Sequence, residues 1–283
     1  MKIQHFYDQK TATFTYIVSN EKTQKCAIID SVLDFDIASG RASTKQANLI
    51  IDYVKTQNLQ VEWILETHIH ADHLSASQYL KEKLGGKIAI GEKINEVIKF
   101  WTPIFNSSQD TKITQFDKLF NDNEKFFIGT IEAKVIYTPG HTPACATYLI
   151  EDCAFVGDII FTPQNGTGRT DFPGGSAKDS YDSIQKLLKL PDETRIFVGH
   201  DYPVEGQQPQ HLCTVLEQKK SNILINEKIS EENYILERNQ RDIGKKVPKL
   251  LLPALQFNMR AGSFGEPESN STFYIKIPIN RHN

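Results

Sequence analysis

The chain has 283 residues, 39% of them hydrophobic, and a formal net charge of -3. That length can bury one large core or two small ones; the charge, with no Lys/Arg block on one helical face, removes the electrostatic case for nucleic acid, and no apolar run approaches the ~20 residues of a membrane span. The four cysteines (Cys26, Cys145, Cys153, Cys213) are widely spaced and form no CxxC pair, the pattern of reduced, packed thiols in a cytosolic protein.

In chain order, residues 1–7 lack a signal-peptide core and lead straight into a β-prone run at 14–18, which favours a cytoplasmic location. A second strand is expected at 25–30. A polar stretch containing Gly and Ser (31–43) follows, then an amphipathic helix at 48–54 and an apolar strand at 61–66. A helical pattern covers 74–80, with a strand at 87–90, a helix at 93–100 and a polar loop at 106–112. Four further strands are expected at 125–128, 132–137, 146–150 and 154–158, then a helix at 177–189 and a strand at 195–199. Residues 215–237 read as helical and charged, and the Pro-punctuated end as a wrap over the core. Strand-rich halves interrupted by single helices predict an α/β fold of two sheets with helices outside. Residues 1–283 form one domain in this reading, with 211–283 a helical and extended extension packed on it.

Between the strand at 61–66 and the helix after it lies Thr67-His68-Ile69-His70-Ala71-Asp72-His73, three imidazoles and a carboxylate within six residues. Residues two apart at a strand's end point the same way, so His68 and His70 can face one site. Neutral imidazole and carboxylate are ligands for zinc or iron. Further on, Thr138-Pro139-Gly140-His141 places His141 in a tight turn after a strand. Asp158 closes Phe155-Val156-Gly157-Asp158, and His200 closes Val198-Gly199-His200. Taken singly, each has an ordinary reading as a turn or surface residue; their joint order is harder to dismiss. His5, His211 and His282 lack such context and read as solvated.

HxHxDH, then TPGH, GD and GH, in that order, resembles the metallo-β-lactamase superfamily. The resemblance runs from about 14 to 205 and implies an αββα sandwich of two mixed sheets that binds metal at one edge. It also implies ligand roles for His68, His70, Asp72, His73, His141, Asp158 and His200. The stretch Gly168-Arg169-Thr170-Asp171-Phe172 and the tail 248–262 resemble persulfide dioxygenases, in particular the bacterial branch labelled β-lactamase-like hydrolase, and so does the insert 33–44. Ser31 departs from the proline expected after Asp30.

Two readings use the same residues. Resemblance to persulfide dioxygenases implies one Fe(II) per chain, held by His68, His141 and Asp158, with His70, Asp72, His73 and His200 hydrogen-bonded around it. Glutathione persulfide and O2 would be the substrates, sulfite and glutathione the products. Resemblance to glyoxalase II implies instead one or two Zn(II) ions held by all seven residues, Asp158 bridging, and hydrolysis of a glutathione thioester or a lactone. For the glutathione carboxylates Arg169 offers a planar fork and Tyr202 a hydroxyl, at positions that contact glutathione in the related thioester hydrolases. Lys178 and Arg260 are further candidates. A sulfurtransferase partner and a homo-oligomer are both compatible with the resemblance; a metal-free scaffold is disfavoured because every ligand position is filled.

Overall fold

The computed structural model describes residues 1–107 and 115–280. Its first half lays down β1 (Lys2–Asp8), β2 (Thr13–Asn20), β3 (Lys25–Ile29), β4 (Val32–Asp36), β5 (Arg41–Ser43), α1 (Lys45–Thr56) and β6 (Gln60–Leu65). There follow β7 (Leu74–Ser75), α2 (Ser77–Leu84), β8 (Lys87–Gly91), α3 (Ile94–Phe105) and β9 (Lys118–Phe120). The second half adds β10 (Lys125–Ile128), β11 (Ile131–Tyr137), β12 (Ala146–Ile150), β13 (Cys153–Phe155), α4 (Ala177–Leu188), β14 (Arg195–Phe197) and β15 (Leu212–Thr214). Three helices end the chain: α5 (Val215–Ser221), α6 (Glu231–Asp242) and α7 (Leu251–Asn258).

The strands assemble into two six-stranded mixed sheets, β1-β2-β3-β6-β8-β9 and β10-β11-β12-β13-β14-β15, with a small three-stranded sheet β5-β4-β7 beside them. In the first sheet β3, β6, β8 and β9 run parallel to one another; in the second only the β13–β14 pair is parallel. Strand periodicity sorts the side chains between layers. Phe14, Tyr16 and Val18 of β2, Ala27 and Ile29 of β3, and Ala89 of β8 point into the core shared by the two sheets. Their alternates Ile17, Cys26, Ile28, Ile88 and Ile90 pack outward under α1, α2, α3 and α7. Buried on both faces, these strands read as nearly unbroken apolar runs. The arrangement is the expected αββα sandwich.

Several expectations need correction. Leu74 and Ser75 do not start a helix: they pair with Leu33 and Val32 as a two-residue strand, and the helix begins at Ser77. The insert after Asp30 is no plain loop but the hairpin β4–β5. The charged run 215–237 is two helices, broken because buried Asn222 turns inward, its Oδ1 accepting from the N–H groups of Leu224 (2.9 Å) and Ile225 (3.1 Å). Ser230 then caps α6 by accepting from Asn233 N–H. The strand at 154–158 stops at Phe155. The polar loop at 106–112 lies, from residue 108, outside the described residues, as does His282. His5 and His211 are not simply solvated: their rings stack at 3.7 Å beside Phe14.

Candidate metal centre

Four chain segments deliver the ionisable groups to one edge of the sandwich, each just past the end of a strand. β6 ends at Leu65 and β11 at Tyr137; parallel β13 and β14 end at Phe155 and Phe197. The two sheets are stitched at this edge: Ala146 N–H donates to the Thr67 carbonyl (2.9 Å) and Phe14 N–H to that of Gly199 (2.8 Å). Gly157 permits the close approach. It sits at φ +54°, and a Cβ there would lie 2.9 Å from the Cβ of Thr67.

Donor atoms of His68, His141 and Asp158 all lie within 4.8 Å of one another, as do those of His70, Asp72 and His73. Asp158 Oδ2 is 3.9 Å from His68 Nε2 and 3.7 Å from His141 Nε2; its Oδ1 is 3.3 Å from His200 Nε2, which is also 3.4 Å from Asp72 Oδ2. His68 and His70 do stand side by side, ring centroids 4.2 Å apart, although the strand ends before them.

The surroundings aim each ring. His141 Nδ1–H donates to the Arg169 carbonyl (2.8 Å), His200 Nδ1–H to that of Ala12 (3.1 Å), and His73 Nδ1–H to that of Leu74 (3.1 Å). Each bond leaves Nε2 as the inward-facing lone pair. His70 is turned the other way. Its Nε2 meets Asp30 Oδ1 (3.0 Å) and Glu66 Oε2 (3.2 Å), so its Nδ1 faces the site. His68 Nε2, His70 Nδ1, His73 Nε2 and Asp158 Oδ1 are buried with no hydrogen-bond partner. Buried polar atoms left this way are costly; His68 and Asp158 belong to one donor group and His70 and His73 to the other, so metal at either group would satisfy the atoms of that group. The residues therefore fit a metal.

Charge states follow the same pattern. Burial and the neighbouring histidines hold His68 well below its ordinary value, and burial with His70 pushes His73 down to about 4. Burial also lowers His141. These three rings are neutral, the ligating form, at neutral pH. Burial acts in the same sense on His70 and His200. There it is outweighed by Asp30 and Glu66, which push His70 well above its ordinary value, and by Asp158 and Asp72, which raise His200.

Parts of the frame carried no motif. Asp30 accepts from Thr67 N–H and Oγ–H, both at 2.8 Å, as well as facing His70. Asn258 Nδ2 donates to the carbonyls of His70 and His73 (2.8 Å each), and its Oδ1 accepts from Ser75 N–H. The C-terminal tail thus holds the ligand loop rather than merely covering it.

Beside Asp158, His141 and His200 opens a cavity of about 820 Å³. Arg169 and Tyr202 line it, Tyr202 stacked on His200 with ring planes 6° apart. The Arg169 fork is already taken. Its Nε and Nη2 donate to Asp171 at 2.6 Å, and its Nη1 to the Lys246 carbonyl at 2.9 Å. Lys178 and Arg260 are not brought here. Lys178 pairs with Asp182 and Glu231, tying α4 to α6, and Arg260 lines a separate groove near α7. In their place stand Arg238, Arg241, Lys245 and Lys249. Arg238 and Arg241 come from α6, which ends at Asp242, and Lys245 and Lys249 from the irregular segment beyond it, so no single periodicity in the sequence marks them.

Arg238 is buried and grips Asp242 (Nη2–Oδ1 2.5 Å, Nε–Oδ2 3.0 Å) and the Thr167 carbonyl (2.9 Å), while Thr170 N–H donates to Asp242 (2.8 Å). This clips α6 onto the loop that carries Arg169. Arg238→Ala leaves the buried Asp242 carboxylate with only Thr170 and the more exposed Lys245 (3.2 Å) and is expected to cost about 3 kcal/mol in urea unfolding. Burial alone would raise Asp242, but Arg238 and the Thr170 amide hold it below its ordinary value. Its stabilisation is therefore present above the unfolded carboxylate's pKa and lost as pH falls through the folded one. The variant should lose that acid-side dependence; an unchanged midpoint would contradict the role given to the pair.

A mixed sandwich with imidazoles and carboxylates converging at one edge defines a metal-dependent enzyme fold. The family model described as metallo-beta-lactamase superfamily matches residues 10–200, and the chain belongs to that superfamily. It is 48% identical over 278 residues to a "Beta-lactamase hydrolase-like protein" of Agrobacterium fabrum, covering 98% of this chain but only 64% of that relative's length. It is 47% identical to "Glyoxylase B2" of Dictyostelium discoideum, covering 99% of this chain and 97% of that one. Identity to the human "Persulfide dioxygenase ETHE1, mitochondrial" is 28%, over 71% of this chain and 68% of that protein. Among solved structures, ETHE1 from Myxococcus xanthus superimposes with a TM-score of 0.75 at 27% identity, covering 93% of this chain and all of that one. Among the described residues no helix is long and apolar enough to cross a membrane.

Proposed function

We propose that the chain is a sulfur dioxygenase that converts glutathione persulfide, O2 and water to glutathione, sulfite and two protons. The observation that carries this reading is the compact His68–His141–Asp158 face, a two-histidine, one-carboxylate donor set. Likeness to ETHE1 over most of the chain supports it. Fe(II) held by His68, His141 and Asp158 would supply the one-electron chemistry that O2 requires.

The chain's own residues do the rest. The Arg169 carbonyl holds His141 in the tautomer that presents Nε2. The row Arg241, Lys245 and Lys249 at the cavity suits the carboxylates of the tripeptide, and the Tyr202 hydroxyl offers it a hydrogen bond. Arg169 can serve the same carboxylates only by sharing its fork with Asp171. Arg169→Ala is expected to raise the apparent KM for glutathione persulfide by about tenfold while changing kcat less. Steady-state O2 uptake at varied persulfide checks it, and an unchanged KM would remove Arg169 from the substrate site.

A second reading has its own support. The His70–Asp72–His73 group and the hydrolase-like names of relatives favour a dinuclear zinc hydrolase of a glutathione thioester or lactone. Metal stoichiometry separates the two. His70→Ala should retain substantial iron if the mononuclear reading holds; loss of all metal, or two metals per native chain, would contradict it.

A further inference from the structure

The 820 Å³ cavity has a small neighbour. On the far side of Phe172 lies a void of about 20 Å³, walled by Ile69, Ala71, Val97, Trp101 and Leu255. Ile69, Val97, Trp101 and Leu255 are buried, and the first three sit on the ligand loop and α3. Ala71, His141 and Phe172 line both spaces, so the void abuts the metal-facing cavity through three shared side chains. Phe172 is half-buried, its ring edge-on to His141 at 5.1 Å, with the Arg169 guanidinium over it at 5.0 Å.

A void of this size exceeds the roughly 10–15 Å³ that one small molecule's centre needs, but water also needs two to four polar partners. The two polar side chains named in its wall besides the indole are engaged elsewhere: His141 Nδ1 with the Arg169 carbonyl, and Thr142 Oγ with Cys145 Sγ (3.1 Å). A small pocket walled mainly by apolar side chains, with these two groups engaged, offers water few partners and favours small apolar guests. The large cavity, by contrast, is lined with Lys10, Arg241, Lys245 and Lys249 and suits a charged substrate.

We infer that the void behind Phe172 is a binding site for dioxygen, separate from the basic mouth that admits the thiol substrate. The inference rests on the dioxygenase reading. O2 is small, uncharged and poorly hydrated, so it partitions into a mainly apolar pocket that excludes the tripeptide. Held against His141 it is already beside the metal face, with the Phe172 ring one of the three side chains between the two spaces.

The test uses iron-loaded full-length protein, with crystals pressurised in xenon and O2-dependent kinetics on the same preparation. Wild type should show xenon between Val97, Trp101 and Phe172. Val97→Phe, which fills the void, should lose the xenon and raise the apparent KM for O2 about tenfold, leaving iron content and the KM for glutathione persulfide within twofold. Overpacking costs roughly 1–3 kcal/mol, so Val97→Leu gives a milder second variant with an intermediate effect. Wild-type crystals without xenon in the void would overturn the inference. So would variants that consume O2 with an unchanged KM for it. An iron-loaded wild type that consumes no O2 with persulfide would overturn the dioxygenase reading itself, and with it the role of the pocket.

Discussion

An Asp158→Ala variant is expected to bind no metal above background and to turn over at least about a thousandfold more slowly, since metal-supplied stabilisation of several kcal/mol converts at 1.36 kcal/mol per decade. The expectation comes from the position of this one carboxylate. Its Oδ2 faces the Nε2 atoms of His68 and His141, and its Oδ1, buried with no hydrogen-bond partner, stands 3.3 Å from His200 Nε2. It is the one carboxylate of the His68–His141–Asp158 group, and its removal leaves there two neutral rings whose lone pairs bind a divalent ion weakly. His200 should respond as well, because Asp158 is the first of the two charges that raise it. Elemental analysis of metal per chain, alongside circular dichroism to show an intact fold, checks the effect. Full metal retention would mean that the ion sits elsewhere in the cluster.

The second large effect is expected from Gly140→Ala. Gly140 adopts φ +145°, a backbone conformation open essentially to glycine alone, and a Cβ there would come within 2.5 Å of the Ser180 backbone nitrogen. The obstacle is the first turn of α4, which cannot yield without losing the bond from Ser176 N–H to the Gly140 carbonyl (2.9 Å). Either α4 shifts or His141 moves off its line to Asp158. A positional error of about 1 Å in a reacting group can cost on the order of a hundredfold. The variant should accordingly lose about a hundredfold in activity and bind metal more weakly, as titration with a competing chelator would show. Near-normal activity would mean that the turn relaxes without disturbing His141.

What the sequence made legible was the part written in residue type. Apolar strands buried on both faces announced themselves in 14–18, 25–30 and 87–90, and the ligands stand past the ends of β6, β11, β13 and β14. What stayed hidden depends on partners. β1 is a half-exposed edge strand whose mixed polarity shows no clean alternation; it exists because its backbone pairs with β2 from Lys2 to Asp8. β7 is two residues long, below any periodicity, and forms only because β4 lies opposite. Asn258 looks like an ordinary helical residue until the fold carries it to the carbonyls of His70 and His73. The substrate residues divide on the same principle. Tyr202 lies two residues past His200 and reaches the cavity by that proximity, whereas Arg241, Lys245 and Lys249 reach it only through the Arg238–Asp242 clip.

The reading as an iron dioxygenase is tested most directly by oxygen uptake. Protein loaded anaerobically with Fe(II) is given glutathione persulfide, with O2 consumption and sulfite followed in one vessel. Uptake matched one to one by sulfite is the expected result and makes His68, His141 and Asp158 the iron face. No uptake, together with rapid cleavage of a glutathione thioester by the zinc-loaded protein, would contradict it and assign the same residues to a dinuclear hydrolase.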